Sequence, residues 1–451
     1  MRRTRTAWTC AAAAAIALIA YYLVAWAQVT PTRERGTDFS ASYVAATLLR
    51  SGEGARLYDQ RLEASAHQAI LPADARVDLP FITPPTSAVL ALPFTALDPG
   101  AAFRLWSLLQ LALLLAAIVV AGRSAPWPET IRAGPRVAVA LVALAGAGTF
   151  AFLLLGQLDG FSALGLAAAY GSWRSGRPGR AGFWLAFGSA VAKPHLALGL
   201  AVWMVARRER RALAGSTLGL AVLVTASLVA VGPGGLAGFL GALRLSYGHT
   251  PPASTLGLAG LAASWLGDTA LAAFAATALA LAGLAACAAL GARSRSRPAA
   301  VETSLAAATA VSLLVSPHLL PHDLVVLAPA FVWASARAAT ADLVAVWPGR
   351  LSLQALLAWI GLDLLAVLDT GNASHAPPGR VVPWALAAAG VAALRIRPPA
   401  AEAVAGDPAS SRRNPVRSFV PAAPPRRGLR VSPRSPRRRA GAREASGRDA
   451  R

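Results

Sequence analysis

Residues 7–27 read AWTCAAAAAIALIAYYLVAWA, an uncharged apolar run directly after the basic start Met1–Arg5. A helix needs about 20 apolar residues to cross the hydrocarbon core. The apolar part of a cleaved signal peptide is only about 7–15 residues long. This run is longer, so it reads as a first membrane span. Further apolar runs fall near 101–122, 136–155, 158–173, 181–192, 195–206, 212–231, 269–290, 301–316, 323–338, 351–369 and 381–394. The composition agrees, with 55% hydrophobic and 14% charged residues where soluble domains have about 25% charged. The apolar mass is Ala, Leu, Val and Gly, which suits close helix packing in lipid.

Arginine placement orients the chain, because cytoplasmic loops collect Lys and Arg. Clusters lie at Arg2–Arg5, Arg123–Arg136, Arg174–Arg180, Arg207–Arg211, Arg293–Arg297, Arg337–Arg350 and from Arg395 onward. Twelve crossings (within a range of ten to thirteen) put every cluster inside, with both termini cytoplasmic. The runs 158–173, 181–192 and 195–206 are short enough to be re-entrant helices lining a protein-covered cavity. The expected fold is an all-α polytopic membrane protein of the plasma membrane. Its transmembrane domain covers 1–398, and residues 28–100 form a long first extracytoplasmic loop with amphipathic helices. Residues 399–451 form a basic tail. From 401 onward, thirteen arginines against four acids leave the tail net +9. Its Pro, Ser and Arg content cannot bury a core, so it reads as disordered. It suits anionic lipid headgroups better than nucleic acid. Cys10 and Cys287 sit in apolar runs and read as small core residues, neither a disulfide nor a metal site.

In the first outer loop, Tyr43, Ala46, Leu48 and Leu49 recur at helical spacing, and Gln60–Ile70 is a polar helix-like stretch. Asp38 stands a few residues beyond the first span. A carboxylate in that border zone can act as a general base, or it can simply cap the helix over 39–50. Asp59 reads as a turn or cap residue. Lys193 is the only lysine in the chain, and it lies between two apolar runs with Pro194 beside it. A charge there is costly and marks a functional site, unless it snorkels or pairs with a carboxylate elsewhere. Its ammonium suits an anionic phosphate. His195 reads equally as a packed polar partner. Gln157 stands at an outer hairpin, where its amide could grip sugar hydroxyls or only satisfy the turn. His318 and His322 flank Pro321. Their spacing allows a metal pair, but Pro321 and the small number of further ligands argue against a metal. Asp323 reads as a helix cap.

Taken in order, Asp38-Phe39-x-x-x-Tyr43-x-Ala45-Ala46, Gly52, Leu57-Tyr58-Asp59 and Pro80-Phe81-x-x-Pro84-Pro85 resemble glycosyltransferase family 87. So do Gly156-Gln157, Ala192-Lys193-Pro194-His195 and Ser316-Pro317-His318 with His322. The resemblance covers about 37–330. Thr83, where an aromatic is common, and Asp159, where Asn or a small residue is common, depart from the pattern. The resemblance implies a GT-C fold and a transferase that takes a sugar from a polyprenyl-phosphate donor. Mannose is the first expectation and arabinose the second. The acceptor would be an envelope lipid or glycan on the outer face. The resemblance makes Asp38 the general base of an inverting displacement. It makes Tyr43, Tyr58, Gln157, Lys193, His195, His318 and His322 candidate contacts to the sugar or lipid phosphate. No cofactor, metal or nucleic-acid partner is expected. The competing class is a lipid-linked sugar transporter or flippase. Against it, no internal repeat relates the two halves and the polar residues gather at one face.

Overall fold

A computed structural model describes residues 2–29, 37–71, 79–146, 148–249, 252–296, 301–340 and 378–395. The expected span at 351–369 and the tail at 399–451 lie outside these. Every regular element among the described residues is helical. The α-helices are α1 (Arg2–Ala27), α2 (Asp38–Arg50), α3 (Gln60–Ile70), α4 (Pro85–Ala91), α5 (Pro99–Ser124), α6 (Ala133–Leu144), α7 (Thr149–Leu155) and α8 (Asp159–Arg174). They continue with α9 (Pro178–Ala190), α10 (Leu198–Arg207), α11 (Arg210–His249), α12 (Leu258–Leu266), α13 (Ala270–Ser296), α14 (Val301–Leu314), α15 (Leu327–Thr340) and α16 (Pro378–Arg395).

Four helices are long and apolar enough to cross a membrane: Trp8–Ala27, Pro99–Ser124, Arg210–Arg244 and Ala270–Ser296. The run expected as one span at 136–155 is instead α6 and α7, bent by 52°. The runs at 158–173, 181–192 and 195–206 form α8, α9 and α10, with 16, 13 and 10 residues. At about 1.5 Å per residue, none of these alone spans a core of about 30 Å. Pro178 and Pro194 stand at the breaks between them, because proline cannot continue a preceding helix. α11 bends at Gly232, just before Pro233. Large apolar side chains point outward along the long helices, with Val229 83% and Phe274 71% exposed. That is tolerable in lipid and costly in water. Cys10 lies on this exposed side of α1 and not in the core as expected, whereas Cys287 is buried; neither forms a disulfide.

The centre is a stack in which α8 packs on α5 and α9, and α9 packs on α11. Small residues bring these backbones together. A Cβ on Gly165 would stand 2.6 Å from the Gly188 Cα, and one on Gly188 would stand 2.5 Å from the Gly165 Cα. Gly165→Val should therefore lower the thermal midpoint in detergent, since overpacking costs about 1–3 kcal/mol. Gly122→Ala should leave the midpoint unchanged, because its added methyl meets only Val332 at 3.9 Å. At the arginine-rich end, buried Glu302 on α14 accepts from Arg174 on α8 at 3.0 Å and pairs with Arg337 on α15 at 3.5 Å. This ion triad ties three helices, and losing Glu302 would leave the buried Arg337 without this carboxylate.

Between α1 and α5, α3 occupies the polar stretch read from the sequence. Asp59 caps it, accepting from Arg61 N at 3.1 Å and Leu62 N at 3.3 Å. These bonds favour the ionised carboxylate and hold its pKa below the usual value. Asp38 does not cap α2. Thr37 holds the cap position, and Asp38 is the first helical residue. Buried Glu63 on α3 accepts from the Phe81 backbone N–H, fastening α3 to the strap that leads into α4.

Candidate active site

Three chain breaks meet at one point. The first is the end of α7. Gly156 closes that helix with φ 62, a left-handed conformation that favours glycine. A Cβ there would lie 2.8 Å from the Phe39 Cβ. Trp106 donates to the Gly156 carbonyl at 2.8 Å. Phe39 packs on Phe103 and Trp106 at 6.1 and 5.5 Å between ring centroids. This aromatic seat brings the start of α2 against the turn that carries Gln157 and leads to Asp159.

The second break is Lys193-Pro194 after α9, where the chain turns into a 3₁₀ segment, Pro194–Ala197. The third is the 3₁₀ turn Pro321–Val326, which carries His322 and Asp323. Lys193 Nζ donates to Asp323 Oδ1 at 2.6 Å and to Asp159 Oδ2 at 3.2 Å. The lysine side chain is 12% exposed, and the two carboxylates are 0% and 1% exposed. Asp323 also accepts the Leu320 N–H through Oδ2 at 2.7 Å, and His322 Nε2 lies 3.3 Å from its Oδ1. Three sequence-distant segments are thus pinned by one ammonium. An isolated buried lysine would be unfavourable, and its two buried partners compensate it.

Asp38 completes the electrostatic group. Asp38 is exposed, although protein atoms stand close enough around its carboxyl to desolvate it. That desolvation raises its pKa above 3.8, Lys193 opposes the rise and Asp323 adds to it. Asp38 therefore lies within electrostatic range of the Lys193 cluster. A carboxylate that is accessible yet raised is suited to taking a proton.

The other residues singled out in the sequence fall into two groups. His322 joins the cluster directly. His195, beside Lys193, faces His318 with ring centroids 6.5 Å apart. Gln157 is buried at the adjoining turn, and its Nε2 meets no acceptor among the described residues. Tyr43 and Tyr58 have their hydroxyls engaged elsewhere. Tyr43 donates to Leu97 O and Tyr58 to Thr83 O, both at 2.7 Å. Tyr58 also packs on Phe81 and Phe239. These two side chains brace the segment between α1 and α5.

The sequence reading missed Asp159 and half of Asp323. Asp159 was noticed only as a departure from a family pattern. Asp323 was read as a cap, which it is, but its other oxygen holds Lys193. The signal was available, since a lone lysine between apolar runs requires buried carboxylates. Asp159, His322 and Asp323 bring donor atoms within 4.8 Å of one another, close enough for one cation. The cation that these two carboxylates hold is the Lys193 ammonium. His318 pairs with His195 and is not part of that donor set.

The sequence profile of glycosyltransferase family 87 matches residues 81–317, just over half of the chain. That stretch includes Gln157, Asp159, Lys193 and His195, while Asp38, His322 and Asp323 are joined to it by the geometry above. No curated protein and no solved structure matches the chain. A match of this extent, over a helical membrane protein whose helices break around one buried lysine, establishes that the chain is a member of glycosyltransferase family 87.

Proposed function

We propose that this protein moves one sugar, mannose first and arabinose second, from a polyprenyl-phosphate donor to an envelope lipid or glycan. The observation that carries this reading is an exposed Asp38 within electrostatic range of the buried Lys193–Asp159–Asp323 cluster. The acceptor hydroxyl would attack the anomeric carbon as the bond from that carbon to the phosphate oxygen breaks. Its proton passes to Asp38, and polyprenyl phosphate leaves with the electron pair of the broken bond. A single displacement inverts the anomeric centre. Lys193 would hold a phosphate oxygen and offset the charge that gathers on the leaving group. Gln157 and His322 would supply contacts to sugar or phosphate oxygens, with His195 and His318 as further polar contacts.

The arginine distribution supports an outward-facing site, about twelve passages with several made by short helices, and both termini in the cytoplasm. Such a site meets its substrate in the membrane border, where a lipid-borne sugar arrives. A comparison of envelope glycolipids from a deletion strain and its parent tests the reading. The expected result is loss of one glycolipid and accumulation of a precursor shorter by one sugar. Loss of the glycolipid with the lipid-linked donor trapped on the cytoplasmic leaflet would favour a transporter, and unchanged glycolipids would contradict the reading.

A further inference from the structure

The two carboxylates that hold Lys193 are not equivalent. Asp323 has both oxygens committed, Oδ1 to Lys193 at 2.6 Å and to His322 at 3.3 Å, and Oδ2 to the Leu320 N–H at 2.7 Å. Asp159 makes a single longer contact of 3.2 Å through Oδ2, and its buried Oδ1 has no hydrogen-bond partner. The charges acting on Asp159 are Lys193, Asp323 and Asp38. His195, His318 and His322 are the other titratable groups of the neighbourhood. One ammonium thus faces three carboxylates before any substrate arrives. A lipid phosphodiester adds a further negative charge in surroundings of low dielectric, where uncompensated charge is strongly unfavourable.

Resting on the reading of Lys193 as the phosphate anchor, we propose that Asp159 is an exchangeable positioning residue. It holds Lys193 in place until the donor binds, then takes a proton from solvent and yields one ammonium N–H to a phosphate oxygen. Asp323 stays paired throughout as the permanent anchor.

The test is the donor KM of purified protein across pH, for the unmodified chain, Asp159→Asn, Asp323→Asn and Lys193→Gln. In the unmodified chain, donor KM should rise with pH, by up to tenfold per pH unit once Asp159 is ionised. Asp159→Asn should remove that slope and leave KM at or below the unmodified value at high pH. Asp323→Asn should raise KM more than tenfold at every pH. If Asp159→Asn keeps the unmodified slope, or raises KM as Asp323→Asn does, the proposal is overturned. If Asp323→Asn does not fold, the slope in Asp159→Asn decides alone. A Lys193→Gln protein with unchanged donor KM would instead reject the phosphate-anchor reading beneath it.

Discussion

Asp38→Asn is expected to insert, fold and bind the lipid donor, yet to transfer sugar about 10²- to 10⁴-fold more slowly, the usual contribution of a general base. The substitution keeps size and removes the basic oxygen. Asn is tolerated at the first position of α2, and Thr37, not Asp38, occupies the cap. Donor KM should stay within about twofold, because in this account Asp38 receives a proton from the acceptor only as the anomeric bond changes. The pH profile provides a second reading. Asp38 acts in its ionised form, and burial raises its pKa above 3.8. Transfer by the unmodified protein should therefore hold at higher pH and fall as pH drops through a midpoint above 3.8. A midpoint at or below the ordinary value would remove Asp38 as the base.

Lys193→Met carries the second large effect, and it acts on both stability and binding. Methionine fills similar space, but two carboxylates at 0% and 1% exposure then face each other without their cation. Breaking a buried pair by removing one partner costs about 3–5 kcal/mol. The variant should melt earlier in detergent, and lowering the pH should restore part of the loss by protonating a carboxylate. Donor binding should weaken more than tenfold at neutral pH. Lys193→Arg should not restore wild-type binding, since a planar fork cannot reproduce an ammonium shared between Asp159 and Asp323. An Arg protein with unaltered donor KM would show that only charge matters at this position.

What the sequence carried well is what depends on local pattern. The apolar runs, the helix at Gln60–Ile70, the cap at Asp59 and the lone lysine were all readable from composition and spacing. The broken helices were readable only in part. The run 136–155 is continuous in hydropathy, but its glycines at 146 and 148 let the chain bend between α6 and α7. The site itself was half legible. Asp38 and Lys193 each stood out by position, whereas Asp159 did not, because a carboxylate at a helix start is ordinarily a surface feature. Only the return of Pro321–Val326 onto the α9 break, across 130 residues of chain, makes Asp159 and Asp323 partners of one cation. Tyr43 and Tyr58 show the converse. The resemblance makes them candidate contacts, but each hydroxyl is engaged by a backbone carbonyl, which local sequence could not reveal.

The proposed transfer from a lipid phosphate at the Asp38–Lys193 site can be measured directly. The most direct measurement uses purified protein in lipid vesicles with an envelope lipid extract and a radiolabelled polyprenyl-phosphate mannose or arabinose. A parallel arm supplies the matching nucleotide sugar. Label is expected in the acceptor from a lipid donor only, with the anomeric configuration inverted, and at a rate about 10²- to 10⁴-fold lower with Asp38→Asn. Label transferred from the nucleotide sugar, equal transfer by Asp38→Asn, or donor crossing the bilayer without any new glycosidic bond would contradict it.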